Sequence, residues 1–240
     1  MITLTHAYFY SADEFADSDG NKSDIDEVKV GLGLIRFIKP WHFGDHNQFQ
    51  YILEGIVGQK DVSIENTDVN MSGITDPMIY TSMGWNNPQK TTHLQAALIA
   101  VFPFGDDELN GGDSYQLMPI IAFQQQFGYF WVDGSMGYYH FFDDLSSKST
   151  SGRDYFEINM VPSYHVGAWS FYLQGDYTIT QESKLHGVDQ NDDGYNFAMA
   201  GGVSWMFNSN MQLNLKYVKD IDGENELQGQ GFNLRWMWIF

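Results

Sequence analysis

The sequence predicts an all-β protein: a twelve-stranded antiparallel transmembrane barrel with short periplasmic turns and long acidic extracellular loops, one domain over residues 1–240. Three observations predict it. Apolar residues recur at every second position rather than in helical stripes; the connections alternate between short and long; and the acidic residues concentrate in the long ones. The longest apolar stretch, Ala96 to Phe104, is nine residues, far below the ~20 that a membrane helix needs. Helical membrane architectures are therefore excluded, and a membrane chain of this composition must cross with strands.

Taken in order, the candidate strands are 2–10, 25–38, 48–58, 76–85, 93–102, 115–126, 129–142, 155–166, 169–180, 195–207, 211–220 and 230–240. The period is clearest in the ninth, where Trp169, Phe171, Leu173, Gly175, Tyr177 and Ile179 alternate with Ser170, Tyr172, Gln174, Asp176 and Thr178. It is repeated in the last, where Phe232, Leu234, Trp236, Trp238 and Phe240 form one face. Connections after even strands are short, around Pro40-Trp41, Asn86-Asn87-Pro88, Phe127-Gly128, Gly167-Ala168 and Asn208-Ser209-Asn210. Those after odd strands are long and polar: 11–24, 59–75, 103–114, 143–154, 181–194 and 221–229. They carry Asp13, Glu14, Asp17, Asp19, Asp106, Asp107, Glu108, Asp192, Asp193, Asp222, Glu224 and Glu226. A soluble meander has no reason to alternate in this way, whereas a barrel with one periplasmic and one external end does.

Lipid offers no partner to backbone N–H and C=O groups, so the sheet must close on itself. A soluble sandwich or lipocalin-like barrel would have to place either the aromatic set or the Lys/Asp/Gln set in the wrong medium. The outward face reads Phe49, Tyr51, Leu53, Leu94, Leu98, Phe130, Val132, Phe156, Ile158, Met160, Phe171, Leu173, Phe197, Met199, Leu213 and Leu215. Tyr8, Tyr80, Trp85, Phe102, Tyr155, Trp169, Tyr195, Trp205, Tyr217 and Trp238 are expected in interfacial girdles. The lumen and substrate path are expected to be lined by Lys29, Glu54, Trp131, Asp133, Tyr139, Glu157, Tyr172, Gln174, Asp176, Lys216 and Arg235. Arg36 does not fit: it shares a register with Val28, Val30, Leu32 and Leu34, which implies either a bulge that turns it inward or a place at the periplasmic interface beside Lys39. Pro119 and Pro162 each remove a ladder hydrogen bond and mark a possible lateral opening.

The middle of the chain shows Gly73-Ile74-Thr75-Asp76-Pro77, a strand ending in Pro103-Phe104-Gly105-Asp106, then Leu117-Met118-Pro119, and finally Trp238-Ile239-Phe240. In that order and spacing, over roughly residues 73–240, the chain resembles the outer-membrane transporter family of the meta-pathway of phenol degradation (phenol MetA-deg-like β-barrels). The family's Pro-Thr-Gly is Pro-Phe-Gly here. The resemblance implies a monomeric barrel in the bacterial outer membrane that takes up small hydrophobic or aromatic molecules.

Twelve Lys and Arg against thirty-one Asp and Glu give a formal charge of −19, which excludes nucleic acid as a partner. The chain has no Cys, so thiolate metal sites, disulfides and thiol catalysis are excluded. Met1-Ile2-Thr3-Leu4-Thr5 has strand character and shows no signal peptide, so export implies a mature or truncated chain. Asp189-Gln190-Asn191-Asp192-Asp193-Gly194 fits the start of a calcium loop with Asp189, Asn191 and Asp193 as ligands, but position twelve is Ala200 rather than Glu; an acidic surface turn is the other reading, and no other cofactor is expected. Ser163 and His165 share a face, the lumen, and read as wall residues. The function expected is therefore non-enzymatic: passive uptake of small hydrophobic or aromatic compounds, with lateral release of cargo into lipid. The alternatives are a general or nucleoside-type porin and a barrel lipid hydrolase. Expected partners are outer-membrane lipid and lipopolysaccharide, the cargo itself, and the barrel assembly machinery through the C-terminal strand.

Overall fold

The computed structural model of the chain describes residues 1–106, 114–142, 150–151, 153–185, 188–189 and 191–240. Twelve antiparallel strands form a single closed meander: β1 (Ile2–Ala16), β2 (Lys22–Phe43), β3 (Phe49–Ile64), β4 (Met78–Asn86), β5 (Thr92–Val101), β6 (Gln116–Phe127), β7 (Phe130–Phe141), β8 (Tyr155–Val166), β9 (Trp169–Thr180), β10 (Gly194–Asn208), β11 (Met211–Glu224) and β12 (Glu226–Ile239). Each pairs with its neighbours in the chain, and β12 pairs with β1 from Ile2↔Ile239 to Ala16↔Glu226. Closure leaves none of these twelve strands as an edge.

The exterior is apolar where lipid requires it. Leu173, at mid-strand, is 59 % exposed and Phe9 is 63 % exposed. Nowhere in the described chain is a large side chain fully buried, which suits a wall one residue thick around a wet centre rather than a packed core. At the end with short turns, rings form a girdle. Trp41 lies 5.5 Å from Tyr51, Phe43 5.7 Å from Phe49, Trp169 5.3 Å from Trp205, and Trp238 5.1 Å from Phe240. Two of the turns there, β6–β7 and β8–β9, are tight because Gly128 and Gly167 take positive φ, 65° and 58°, as two-residue hairpins with right-handed strand twist demand.

Several expectations are corrected. The connections expected as loops at 11–24, 59–75 and 221–229 are largely strand: the β1–β2 and β11–β12 hairpins run on to Ala16/Lys22 and Glu224/Glu226, and Asn70–Ile74 pairs with the upper end of β3. The β2–β3 connection lies at a 3-10 turn, Asp45–Asn47, rather than at Pro40-Trp41. Asp107 and Glu108 lie outside the described residues. In β2 the inner face is the even-numbered one. Leu4↔Arg36 and His6↔Leu34 face the lumen, and Thr3↔Phe37 and Thr5↔Ile35 face lipid. No bulge separates Lys29 from Ile38 in the pairing with β1 or β3. Arg36 is thus inward together with the apolar residues of its register, and Lys29 is outward. Tyr8, Tyr80 and Tyr155, expected in the girdles, also point inward, opposite Asn233, Glu54 and Tyr139 respectively.

Candidate functional site: the lumen

Strand alternation brings the inner faces of β1, β6 to β12 onto a cavity of about 560 Å³ in the periplasmic half of the barrel. Its wall includes Trp131, Asp133, Tyr172, Gln174, Lys216 and Arg235, six of the eleven residues expected on the path. Hydrogen bonds hold most of them in place. Gln124 Nε2 donates to Asp133 Oδ1 (2.6 Å), Tyr172 Oη to Asn214 Oδ1 (3.0 Å) and Asn214 Nδ2 to Ser204 Oγ (2.6 Å). Lys216 Nζ donates to Gln174 Oε1 (3.2 Å), and Gln174 Nε2 to both oxygens of Asp176 (2.9 and 2.8 Å). Asn159 adds a further donor to Asp176. Tyr172 lies over Gly202, where a Cβ would come within 2.2 Å of its ring; only glycine leaves the ring room there.

Four further path residues lie outside this cavity's lining but on the inner face, Asp176 among them. Glu54, 3 % exposed, is clamped by two guanidinium nitrogens of Arg36, with Nε donating to Oε1 and Nη2 donating to Oε2 at 3.0 Å. Tyr139 stacks on Tyr155 with ring centroids 4.0 Å apart, beside Glu157. Lys29 is the exception. It sits on the exterior above the apolar belt, 2.7 Å from Glu27, which also accepts a hydrogen bond from Ser11.

Pro119 and Pro162 both project outward, opposite Leu98 on β5 and Val132 on β7. Each interrupts the ladder on one side without changing register. Between β6 and β7 the pairs stop at Leu117↔His140 and resume at Ile120↔Gly137; between β8 and β9 they stop at Met160↔Gly175 and resume at Ser163↔Tyr172. Outside the wall, on the periplasmic side of the first gap and beginning at Ile121 and Met136, lies an apolar concavity of about 570 Å³ also lined by Leu94, Phe123, Ile158 and Met160.

Sequence reasoning missed His6, whose inward place follows only from its pairing with Arg235; a lone His in an alternation of mixed polarity gives no cue. It also underrated the serines around His165. Ser163 Oγ lies 3.0 Å from Nε2 and Ser170 Oγ 2.9 Å from Nδ1, with the Trp131 ring 4.8 Å away. Both ring nitrogens meet hydroxyls, so among the described residues no carboxylate orients this imidazole as a nucleophile's base requires.

Of the expected calcium ligands, Asn191 adopts φ 52° and the backbone oxygen of Asp193 accepts from Asn225 Nδ2 at 2.6 Å. The Asp189 side chain and Gln190 lie outside the described residues. Neighbouring Asp192 is engaged by Ser183 N and Oγ, both at 2.7 Å. Although partial burial pushes its carboxyl up, the Ser183 donors and Arg153 hold it below the usual range. At the top of β7, Asp154 accepts from Tyr138 Oη (2.6 Å) and the Phe141 N–H (2.9 Å), with His140 Nδ1 at 2.8 Å. Burial again opposes ionisation, and these donors outweigh it, so its carboxyl sits below the usual range.

Residues 12–236 match the family model described as "Putative MetA-pathway of phenol degradation". Comparison with curated proteins finds no match. Among solved structures, the chain is similar to an outer membrane channel from Pseudomonas putida F1, with a TM-score of 0.90 and 18 % identity over 100 % of this chain and 94 % of that one. The beta domain of a Bordetella autotransporter, BrkA, gives 0.64 and 7 %, with both chains covered fully. The CymD monoaromatic hydrocarbon channel gives 0.55 and 8 %, over 100 % of this chain and 88 % of that one. At these identities the likeness is one of fold.

Proposed function

The chain belongs to the putative MetA-pathway of phenol degradation family, and from that premise we propose that it is a passive channel of the bacterial outer membrane for small hydrophobic or aromatic compounds, with lateral release. The observation that carries this reading is the break in the β6–β7 ladder. Met118 and Pro119 face Tyr138 and Tyr139 without ladder pairing, with the stacked Tyr139–Tyr155 rings inside the wall and the apolar concavity outside. An apolar solute that reaches those rings gains by leaving water for lipid directly. The external mouth favours such a solute: the inner face of the upper β2–β3 hairpin presents Val30, Leu32, Leu34, Ile56 and Val62. The P. putida channel and the CymD hydrocarbon channel, alike in fold, support the channel class. On this reading the barrel is a monomer in contact with lipid and lipopolysaccharide, and β12 is the strand offered to the assembly machinery.

The test uses the absence of native cysteine. In a Met118→Cys/Tyr139→Cys double variant, facing positions of the interrupted stretch can be bridged. Toluene uptake into proteoliposomes is expected to slow several-fold on oxidation and recover on reduction. Equal uptake in the two redox states would argue for axial diffusion. A general porin is the second reading, favoured by the polar cavity; it requires ohmic conductance of hydrophilic solutes in planar bilayers. The Ser163–His165 pair gives the lipid-hydrolase reading little support, because it faces the lumen.

A further inference from the structure

The polar cavity carries its cations on one wall. Arg235 stands on the inner face of β12, paired with His6 on β1 and with Asn214 on β11; Lys216 lies two positions above Asn214. The β7 wall, five strands away around the ring of twelve, carries the cavity's carboxylate, Asp133, which Gln124 already engages. Several other inward charges are held within the wall. Arg36 is paired with Glu54, Lys216 is bonded to Gln174, and Asp176 is met by Gln174 and Asn159. Among the described residues, Arg235 has no ion-pair partner within 4 Å, and His6 Nε2 is buried with no hydrogen-bond partner.

A guanidinium that lines a cavity without a counter-ion favours an anion that enters the cavity, and its fork fits a planar carboxylate at two oxygens. Flat apolar surface is close by: Trp131 and Tyr172 line the same cavity, whose volume suits a small ligand with its water.

We propose that this cavity is an anion subsite that takes the carboxylate of a small aromatic acid of the benzoate type on Arg235, with its ring toward Trp131 and Tyr172. The proposal deepens the channel reading and rests on it for the route by which the acid arrives. The acidic hairpin ends do not oppose it at this depth. They lie at the far end of the barrel, and at physiological ionic strength exposed charges are screened within ~8 Å.

Calorimetry on the detergent-solubilised full chain tests the proposal with benzoate and benzyl alcohol as probes. Benzoate is expected to bind the unaltered barrel, to bind Arg235→Gln at least ten-fold more weakly, and to bind Lys219→Gln, a change on the exterior, unaltered. Benzyl alcohol is expected to be indifferent to Arg235→Gln. Absence of benzoate binding, or equal benzoate affinity in Arg235→Gln, overturns the subsite. Should Arg235→Gln fail to fold, block of the unaltered channel decides: benzoate is expected to reduce its conductance more than equimolar benzyl alcohol, and equal effects overturn the proposal. Toluene uptake by the unaltered barrel is scored separately. Its loss would sink the channel reading and leave the benzoate result standing.

Discussion

Two stretches of wall obey opposite rules. Along β8 and β9 the outward residues Tyr164, Met160, Ile158, Phe171, Leu173, Tyr177 and Ile179 are apolar or aromatic from one rim to the other, while Ser163, Asn159, Glu157, Gln174 and Asp176 face in. The β2–β3 hairpin does the same only in its lower half, where Phe37, Ile35, Leu53 and Val57 face lipid. Above Val57 the polarity inverts. Lys29, Gln59, Asp61 and Ser63 face out, and Val30, Leu32 and Val62 face in, with Lys60, opposite Leu32, the inward exception. The inversion marks where hydrocarbon ends and water begins. A strand's apolar face follows the surrounding medium rather than the barrel's inside or outside, so one hairpin serves lipid below and water above.

A charge scan is the sharpest way to break that comparison. Leu173→Arg, at mid-height on the exterior of β9, is expected to destabilise the barrel by ~2–4 kcal/mol in urea unfolding from liposomes. Gln59→Arg, also on the exterior but above the belt and beside Asp61, should stay within ~0.5 kcal/mol. Similar costs at the two sites would refute the boundary. A smaller effect is expected from Glu54→Ala, which strands the inward Arg36. Loss of a partner from a buried pair costs ~3–5 kcal/mol, and lumen water around the partly exposed guanidinium lowers the expectation to ~2 kcal/mol. If Arg36 instead faced the interface, the same change would leave stability untouched.

The contrast also explains what the sequence could and could not disclose. Alternation names two faces and stays silent about which is inside; that choice rests on knowing the solvent. In β8 and β9 the choice is safe because one solvent covers the whole strand, and Glu157, Tyr172, Gln174 and Asp176 were assigned inward on that basis. In β2 the run Val28-Val30-Leu32-Leu34 is apolar because it lines the mouth above the membrane, so reading it as lipid-facing displaced Lys29 into the lumen and made Arg36 seem misplaced. The same ambiguity put Tyr8, Tyr80 and Tyr155 in the girdles, since a tyrosine near a strand end suits an interface and a wet lumen equally. The unmatched Arg235–His6 pair was out of reach for another reason. It joins residues 229 positions apart, and its lack of a counter-ion is a property of the assembled cavity.

The smallest expected effect lies at the top of the β7–β8 wall, where the long connection begins. Asp154 gathers the Tyr138 hydroxyl, the Phe141 N–H and His140 Nδ1 on one carboxylate. With these donors outweighing the burial that raises it, the folded-state pKa lies below the usual carboxylate value of ~3.9. The contribution to stability is therefore fully present above the unfolded-state value and is lost as pH falls through the folded one. The amide resonance of Phe141 should thus titrate below the ordinary carboxylate midpoint, and Asp154→Asn should abolish the titration while leaving Leu173 and its neighbours unmoved. A midpoint at or above the ordinary carboxylate value would mean that this latch does not form, and that the upper end of β7 is tied down only by its ladder to β6.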